Sequence, residues 1–188
     1  DAIWQDFAWS GLHADFKYVQ SEHITRHREL LKSLVDSGKA YVSREPKKDD
    51  PTATVEVVRL KNPGTTITFD DLIRGKVTFD TTELGDFVIA RAIDDPLYHF
   101  AVVVDDGDAG VTHVIRAEEH ISNTPRQMLI LEALGFERPI YAHIPLILAP
   151  DRSTLSKRKH GTTLEKYRNE GYLPAGLINY LAFLGWNP

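Results

Sequence analysis

The sequence predicts a mixed α/β fold, and three observations predict it. Short β-prone runs alternate with turn signals between Val55 and Ala92. A strand–helix–strand succession at crossover spacing lies between Val111 and Leu148, and two helical segments close the chain. At 188 residues, 42% apolar and 26% charged, the chain is long enough to bury a core and has globular rather than disordered composition.

The elements follow in order. Asp1–Phe7 reads as the middle of an amphipathic helix; it lacks a cationic start followed by an apolar stretch, so no leader is expected and the chain is expected to begin inside a longer protein. Ser21 is placed to cap a helix whose apolar stripe is Ile24, Leu30, Leu31, Leu34 and Val35 and which Gly38 stops. The polar stretch Glu45–Pro51, with a proline near either end, is expected to be a loop. Val55–Leu60 and Thr65–Phe69 then read as strands flanking the turn signal Asn62-Pro63-Gly64, with Lys76–Asp80 and Phe87–Arg91 as further strands.

Tyr98–Val104 is continuously β-prone, as expected for a strand buried on both faces and ended by Asp105-Asp106-Gly107. Val111–Arg116 is the next strand. Thr124-Pro125 supplies an N-cap and a first-turn proline for a helix through Leu134, which Gly135 ends, and Ile140–Leu148 is the strand after it. That succession fits a parallel crossover in a doubly wound sheet. Thr163–Glu170 and Pro174–Leu184 read as short helices, the second closed by Gly185.

Charge and composition narrow the chemistry. A net charge of −5 argues against a protein coated in positive charge but leaves room for a local basic patch. Arg152, Lys157, Arg158 and Lys159 supply such a patch, suited either to a solvated loop or to polyphosphate. The chain has no cysteine, which removes disulfides and thiolate metal sites and fits a cytosolic protein. Its eight histidines make no zinc-like spacing, so no zinc is expected. Asp105 and Asp106 would point to opposite faces of a strand and chelate poorly together, so turn-forming or capping roles are preferred. No apolar run approaches the ~18–20 residues that cross a bilayer, and no membrane partner is expected.

The order of residues says more than their charge. Leu155-Ser156-Lys157-Arg158 resembles the second signature loop of class I aminoacyl-tRNA synthetases. Val111-Thr112-His113-Val114-Ile115-Arg116-Ala117-Glu118-Glu119-His120-Ile121-Ser122-Asn123-Thr124-Pro125-Arg126-Gln127 resembles the glutamate–tRNA ligase family almost residue for residue. So do Leu97–Asp106 and the stretch from Gly171-Tyr172-Leu173-Pro174-Ala175 to Leu184-Gly185-Trp186, and the resemblance runs from about Gln20 to Pro188.

The resemblance implies the second half of a Rossmann-type catalytic domain. It implies boundaries of 1–96 for the end of the first half plus an inserted β-rich acceptor-binding subdomain, 97–150 for the second catalytic half, and 151–188 for the ATP loop and the start of a helical stem-contact region. It implies ATP, as its Mg2+ complex, L-glutamate and the acceptor stem of tRNA as partners, in a monomeric cytoplasmic enzyme. Arg116 matches the arginine that binds the glutamate side-chain carboxylate, and Tyr98 a tyrosine of the same pocket. Glu119 and His120 match positions at the nucleotide, and Lys157, the implied catalytic residue, meets the ATP phosphates with Leu155, Ser156 and Arg158 around it.

There are departures. The family's first signature, a His-Ile-Gly-His-type motif, and the N-terminal arginine and serine that grip the amino acid are absent from this stretch, so on its own it is expected to be inactive. The segment Tyr41–Val55 is shorter than usual, the anticodon-reading domain is absent, and Thr154 stands where the loop normally begins with lysine. Two alternatives stay open: a paralogue that glutamylates a modified tRNA base, and a noncatalytic acceptor-binding module.

Overall fold

A computed structural model describes residues 2–47, 49–149, 151, 153 and 163–185. They fall into two units, Val19–His143 and the pair of segments Asp1–Tyr18 and Ile144–Pro188.

The larger unit opens with a 3-10 turn, Gln20–His23, running into helix α2, Ile24–Asp36. Ser21 lies inside that turn, and the residue flanking the helix is His23, with no side-chain cap. The turn already shapes the backbone that Ser21 would have capped. The predicted stripe holds: Leu31 and Leu34 are buried, with Ile24, Leu30 and Val35 half-buried. Gly38 ends the helix at φ 71°, where the Lys39 N–H reaches back to the Leu34 carbonyl.

Among the described residues two four-stranded sheets follow. One has the order β1 (Ala40–Lys47), β2 (Asp50–Leu60), β5 (Phe87–Ala92), β6 (Asp95–Pro96), and the other the order β4 (Gly75–Asp80), β3 (Thr66–Asp71), β8 (Ile140–Ile144), β7 (His113–Ala117). The expected loop at Glu45–Pro51 is instead the tip of a hairpin, with Glu45 opposite Val55 and Pro46 opposite Thr54. Pro46 is tolerated because β1 is an edge strand, where a missing N–H leaves no ladder partner unsatisfied, and the register slips just after it. β3 pairs antiparallel with β4 and parallel with β8, through Asp71 opposite Tyr141.

The larger correction is Tyr98–Val104, which is helical: α3 spans Tyr98–Asp108. Leu97 flanks it in extended backbone, and its carbonyl accepts from the N–H groups of Phe100 and Ala101. Phe100, Ala101, Val103 and Val104 are all buried, and Phe100, Val103 and Val104 share one core with Leu31, Leu60, Ile89 and Ile130. A helix buried on most sides reads like a buried strand, and here packing against helix α4 (Thr124–Leu134) and β5 outweighs the β preference of three valines. Asp105 and Asp106 therefore sit inside the helix rather than in a turn or cap. Asp105 accepts from Gln20 Nε2 at 2.9 Å and pairs with the buried His27 Nε2 at 2.6 Å, tying α3 to the start of α2. Gly107 leaves room for the Phe136 ring, whose Cδ2 would lie 2.6 Å from an added Cβ.

α4, Thr124–Leu134, carries proline in its first turn and ends at Gly135 with φ 74°, as expected. The flanking residue is Asn123, without a side-chain cap, so Thr124 is the first helical residue rather than the cap. β8 stops at Ile144, short of the predicted Leu148. In the smaller unit, α1 covers Ala2–Trp9, and Lys17 Nζ lies 4.1 Å over the Trp4 ring. Thr163 caps α5, Leu164–Asn169, by accepting from the Lys166 N–H at 3.4 Å, and α6 spans Pro174–Gly185. Among the described residues no helix is long and apolar enough to cross a membrane.

Candidate active site

Arg116 lies near the end of β7, half-buried, and two neighbours fix its guanidinium. Nε donates to His143 Nε2 at 3.1 Å, and Nη2 donates to Thr124 Oγ1 at 2.9 Å. Its Cζ stands 5.5 Å from the centroid of the Tyr141 ring, within cation–π range. Nε and Nη2 form the side edge of the planar fork. The end edge, made by Nη1 and the second Nη2 hydrogen, is the one that can meet a planar acceptor through two parallel bonds. Tyr98, 52% exposed at the start of α3, interacts with the same guanidinium. Burial lowers the guanidinium from its ordinary pKa, with Tyr141, Tyr98 and Asp106 acting the other way. An arginine so placed stays charged.

Behind Arg116 runs a buried polar chain. A guanidinium only donates, so His143 Nε2 must accept, which puts the imidazole hydrogen on Nδ1. From there it bonds Asp71 Oδ2 at 2.6 Å. Asp71 Oδ1 accepts three backbone N–H groups, from Arg74 at 2.9 Å, Ile73 at 3.0 Å and His143 at 3.1 Å. Both side chains are fully buried. Burial alone would raise the Asp71 carboxyl; the Arg74 N–H, the His143 ring and the N–H groups of His143 and Ile73 outweigh it and hold the carboxyl at about 2. Arg74, in the same turn, pairs with Glu118 just beyond β7.

That shift has a measurable consequence. A carboxylate held below its unfolded value stabilises the fold above the unfolded pKa, and the contribution disappears as pH falls through the folded one. From the ordinary 3.8 down to about 2, it is worth on the order of 2 kcal/mol. Urea midpoints of this chain and of Asp71→Asn should therefore differ most near neutral pH. The gap should shrink as pH falls from about 4 to about 2. A gap independent of pH would mean that the carboxylate charge is not what the site holds.

The other anticipated residues gather unequally around Arg116. His120, in the 3-10 turn Glu118–Asn123, has its ring centroid 6.4 Å from that of Tyr98 and its Nδ1 3.1 Å from Asn123 Nδ2. Glu119 is exposed, with its Oε1 3.5 Å from His120 Nε2. Asp106, a carboxyl that also interacts with Arg116, is raised by burial first and by Asp105 second, while Arg116 acts to lower it. Leu155, Ser156, Lys157 and Arg158, with Thr154, lie outside the described residues. Among those described, no group of three or more His, Asp or Glu residues is arranged to hold a metal.

Sequence reasoning missed Asp71, His143 and the role of the Thr124 hydroxyl. A single hint existed: a histidine inside the otherwise apolar run Ile140-Tyr141-Ala142-His143-Ile144 needs a buried partner. Nothing local identified that partner, which lies 72 residues earlier in the chain.

Comparison with known proteins agrees with this architecture. The family model for tRNA synthetases class I (E and Q), catalytic domain, matches residues 43–188. A glutamate–tRNA ligase of Desulforamulus reducens is 45% identical over 204 residues, spanning 91% of this chain and 42% of that protein. One from Aquifex aeolicus is 42% identical, over 98% of this chain and 46% of its own length. A crystal structure of a glutamate tRNA ligase from Elizabethkingia meningosepticum in complex with its amino acid superposes with a TM-score of 0.85 at 27% identity, covering 99% of this chain and 50% of the other. The chain spans about half the length of the curated relatives it matches.

Proposed function

The chain belongs to the class I tRNA synthetases of the E and Q type, as part of their catalytic domain, and from that premise we propose that the protein containing it ligates glutamate to tRNA with ATP. The observation that carries this reading is the Arg116 fork. His143 and Thr124 hold its side edge, and its end edge suits a carboxylate. Glutamate accepts two parallel N–H bonds there. Glutamine would turn an amide NH2 toward a donor and leave one bond unmade, so the fork also selects between the two amino acids.

In this reading Tyr98 walls the same pocket, and His120 and Glu119 face the nucleotide. Lys157, flanked by Leu155, Ser156 and Arg158, meets the phosphates of ATP, which enters as its Mg2+ complex. The α-carboxylate of glutamate attacks the α-phosphate in line and pyrophosphate leaves. The terminal ribose hydroxyl of tRNA then takes the acyl group from the adenylate and AMP leaves. Such chemistry needs positioning and charge neutralisation rather than a protein nucleophile. The β-rich region before α3 serves as the acceptor-stem contact, and the enzyme acts as a cytoplasmic monomer. The relatives are named as tRNA ligases, so base modification and a noncatalytic module gain no support.

ATP–pyrophosphate exchange by the full-length protein, with glutamate, glutamine or aspartate and with tRNA present or absent, tests the reading. Exchange should depend on glutamate. Exchange driven by glutamine, or by no amino acid under any condition, would overturn it.

A further inference from the structure

We infer that Asp71 and His143 are positioning residues that aim the Arg116 fork at the glutamate side-chain carboxylate, through a neutral imidazole locked in its Nδ1–H form. The inference rests on the reading of Arg116 as the glutamate-binding residue and goes beyond it, because neither Asp71 nor His143 faces the ligand.

The geometry follows one direction of donation. Arg116 Nε gives to His143 Nε2 at 3.1 Å, and His143 Nδ1 gives to Asp71 Oδ2 at 2.6 Å. Asp71 is pinned in turn by the backbone of the turn after β3 and of β8. An aspartate bonded directly to Arg116 would orient it too, but would neutralise the charge that must attract the substrate. An intervening neutral imidazole passes on orientation while keeping the anion one ring away. Asp71 decides which nitrogen carries the hydrogen. Were it on Nε2, a donor would face a donor, and Arg116 would lose the partner that fixes its side edge. Thr124 Oγ1 completes the arrangement: it takes the Nη2 hydrogen and lies 3.3 Å from His143 Nε2.

Two substitutions separate this role from simple core filling. His143→Gln can place an amide oxygen where Nε2 was, keeping the acceptor for Arg116 while losing the bond to Asp71. His143→Asn can place an amide N–H where Nδ1 was, keeping Asp71 paired while losing the acceptor. In the full-length enzyme, positioning predicts that the asparagine variant loses about tenfold to 100-fold in kcat/KM for glutamate, the range for a hydrogen bond to a charged group. The glutamine variant should lose several-fold less, and the KM for ATP should barely move in either. A structural role predicts the opposite order, because there the pairing of buried Asp71 is what counts. That opposite order, or equal losses, would overturn the inference.

Arg116→Ala run alongside keeps the two claims apart. If it leaves glutamate kinetics intact, the reading of Arg116 fails; if it abolishes them while the His143 pair behaves alike, only the present inference fails. Nitrogen-15 shifts of His143 in the wild-type enzyme give an answer even where variants misfold. A pyridine-like Nε2 and a protonated Nδ1 are expected, and a hydrogen on Nε2 would overturn the assignment.

Discussion

Arg116→Ala in the full-length protein is expected to lower glutamate-dependent ATP–pyrophosphate exchange by orders of magnitude while ATP affinity changes little. On the proposed role of Arg116, the substitution leaves the glutamate carboxylate to be desolvated without a charged partner. Truncating one member of a buried hydrogen-bonded charge pair costs roughly 2–5 kcal/mol, or about 30-fold to several thousand-fold. His143 and Thr124 would also lose their common partner. Arg116→Lys should recover little, because an ammonium cannot grip Thr124 and His143 with one edge and a carboxylate with the other. The measurement is kcat/KM for glutamate, and for glutamine as competitor, in the exchange assay. Unchanged activity with glutamate would remove Arg116 from the site.

Lys157→Ala is expected to slow adenylate formation by on the order of 100-fold or more, comparable to the loss of one preorganised electrostatic donor. On the proposed role the charge matters most when the α-phosphate becomes five-coordinate, so kcat should fall while ground-state ATP binding stays nearly intact. Lys159→Ala should be far milder, since a charge that does not meet the phosphates directly is largely screened. Thr154→Lys restores the residue usual in the family and should speed activation slightly if the loop is under-charged. Pre-steady-state adenylate formation by the three variants separates these cases. Equal losses at Lys157 and Lys159 would mean that the loop acts only as diffuse positive charge.

The sequence by itself determined the parts with strong local signals. The α2 stripe, the first-turn proline and terminal glycine of α4, the strands around Asn62-Pro63-Gly64 and the paired terminal helices were legible because capping, turn chemistry and periodicity are short-range. The family was legible too, because the block from Val111 to Gln127 keeps residue order as well as residue type. Tertiary structure decided the rest. Tyr98–Val104 has no period that separates a buried strand from a buried helix, and only the packing of Phe100 and Val104 against the core chose the helix. Pro46 reads as a breaker until β1 is seen to be an edge. The support behind Arg116 was hidden for the same reason. The pairing of a buried histidine with an aspartate 72 residues away carries no local signal, and only the parallel contact of β3 with β8 brings them within 2.6 Å. Local propensity chose which segments could be ordered; long-range burial, which must satisfy every polar group it encloses, chose what those segments became and which edge of Arg116 is held by His143 and Thr124.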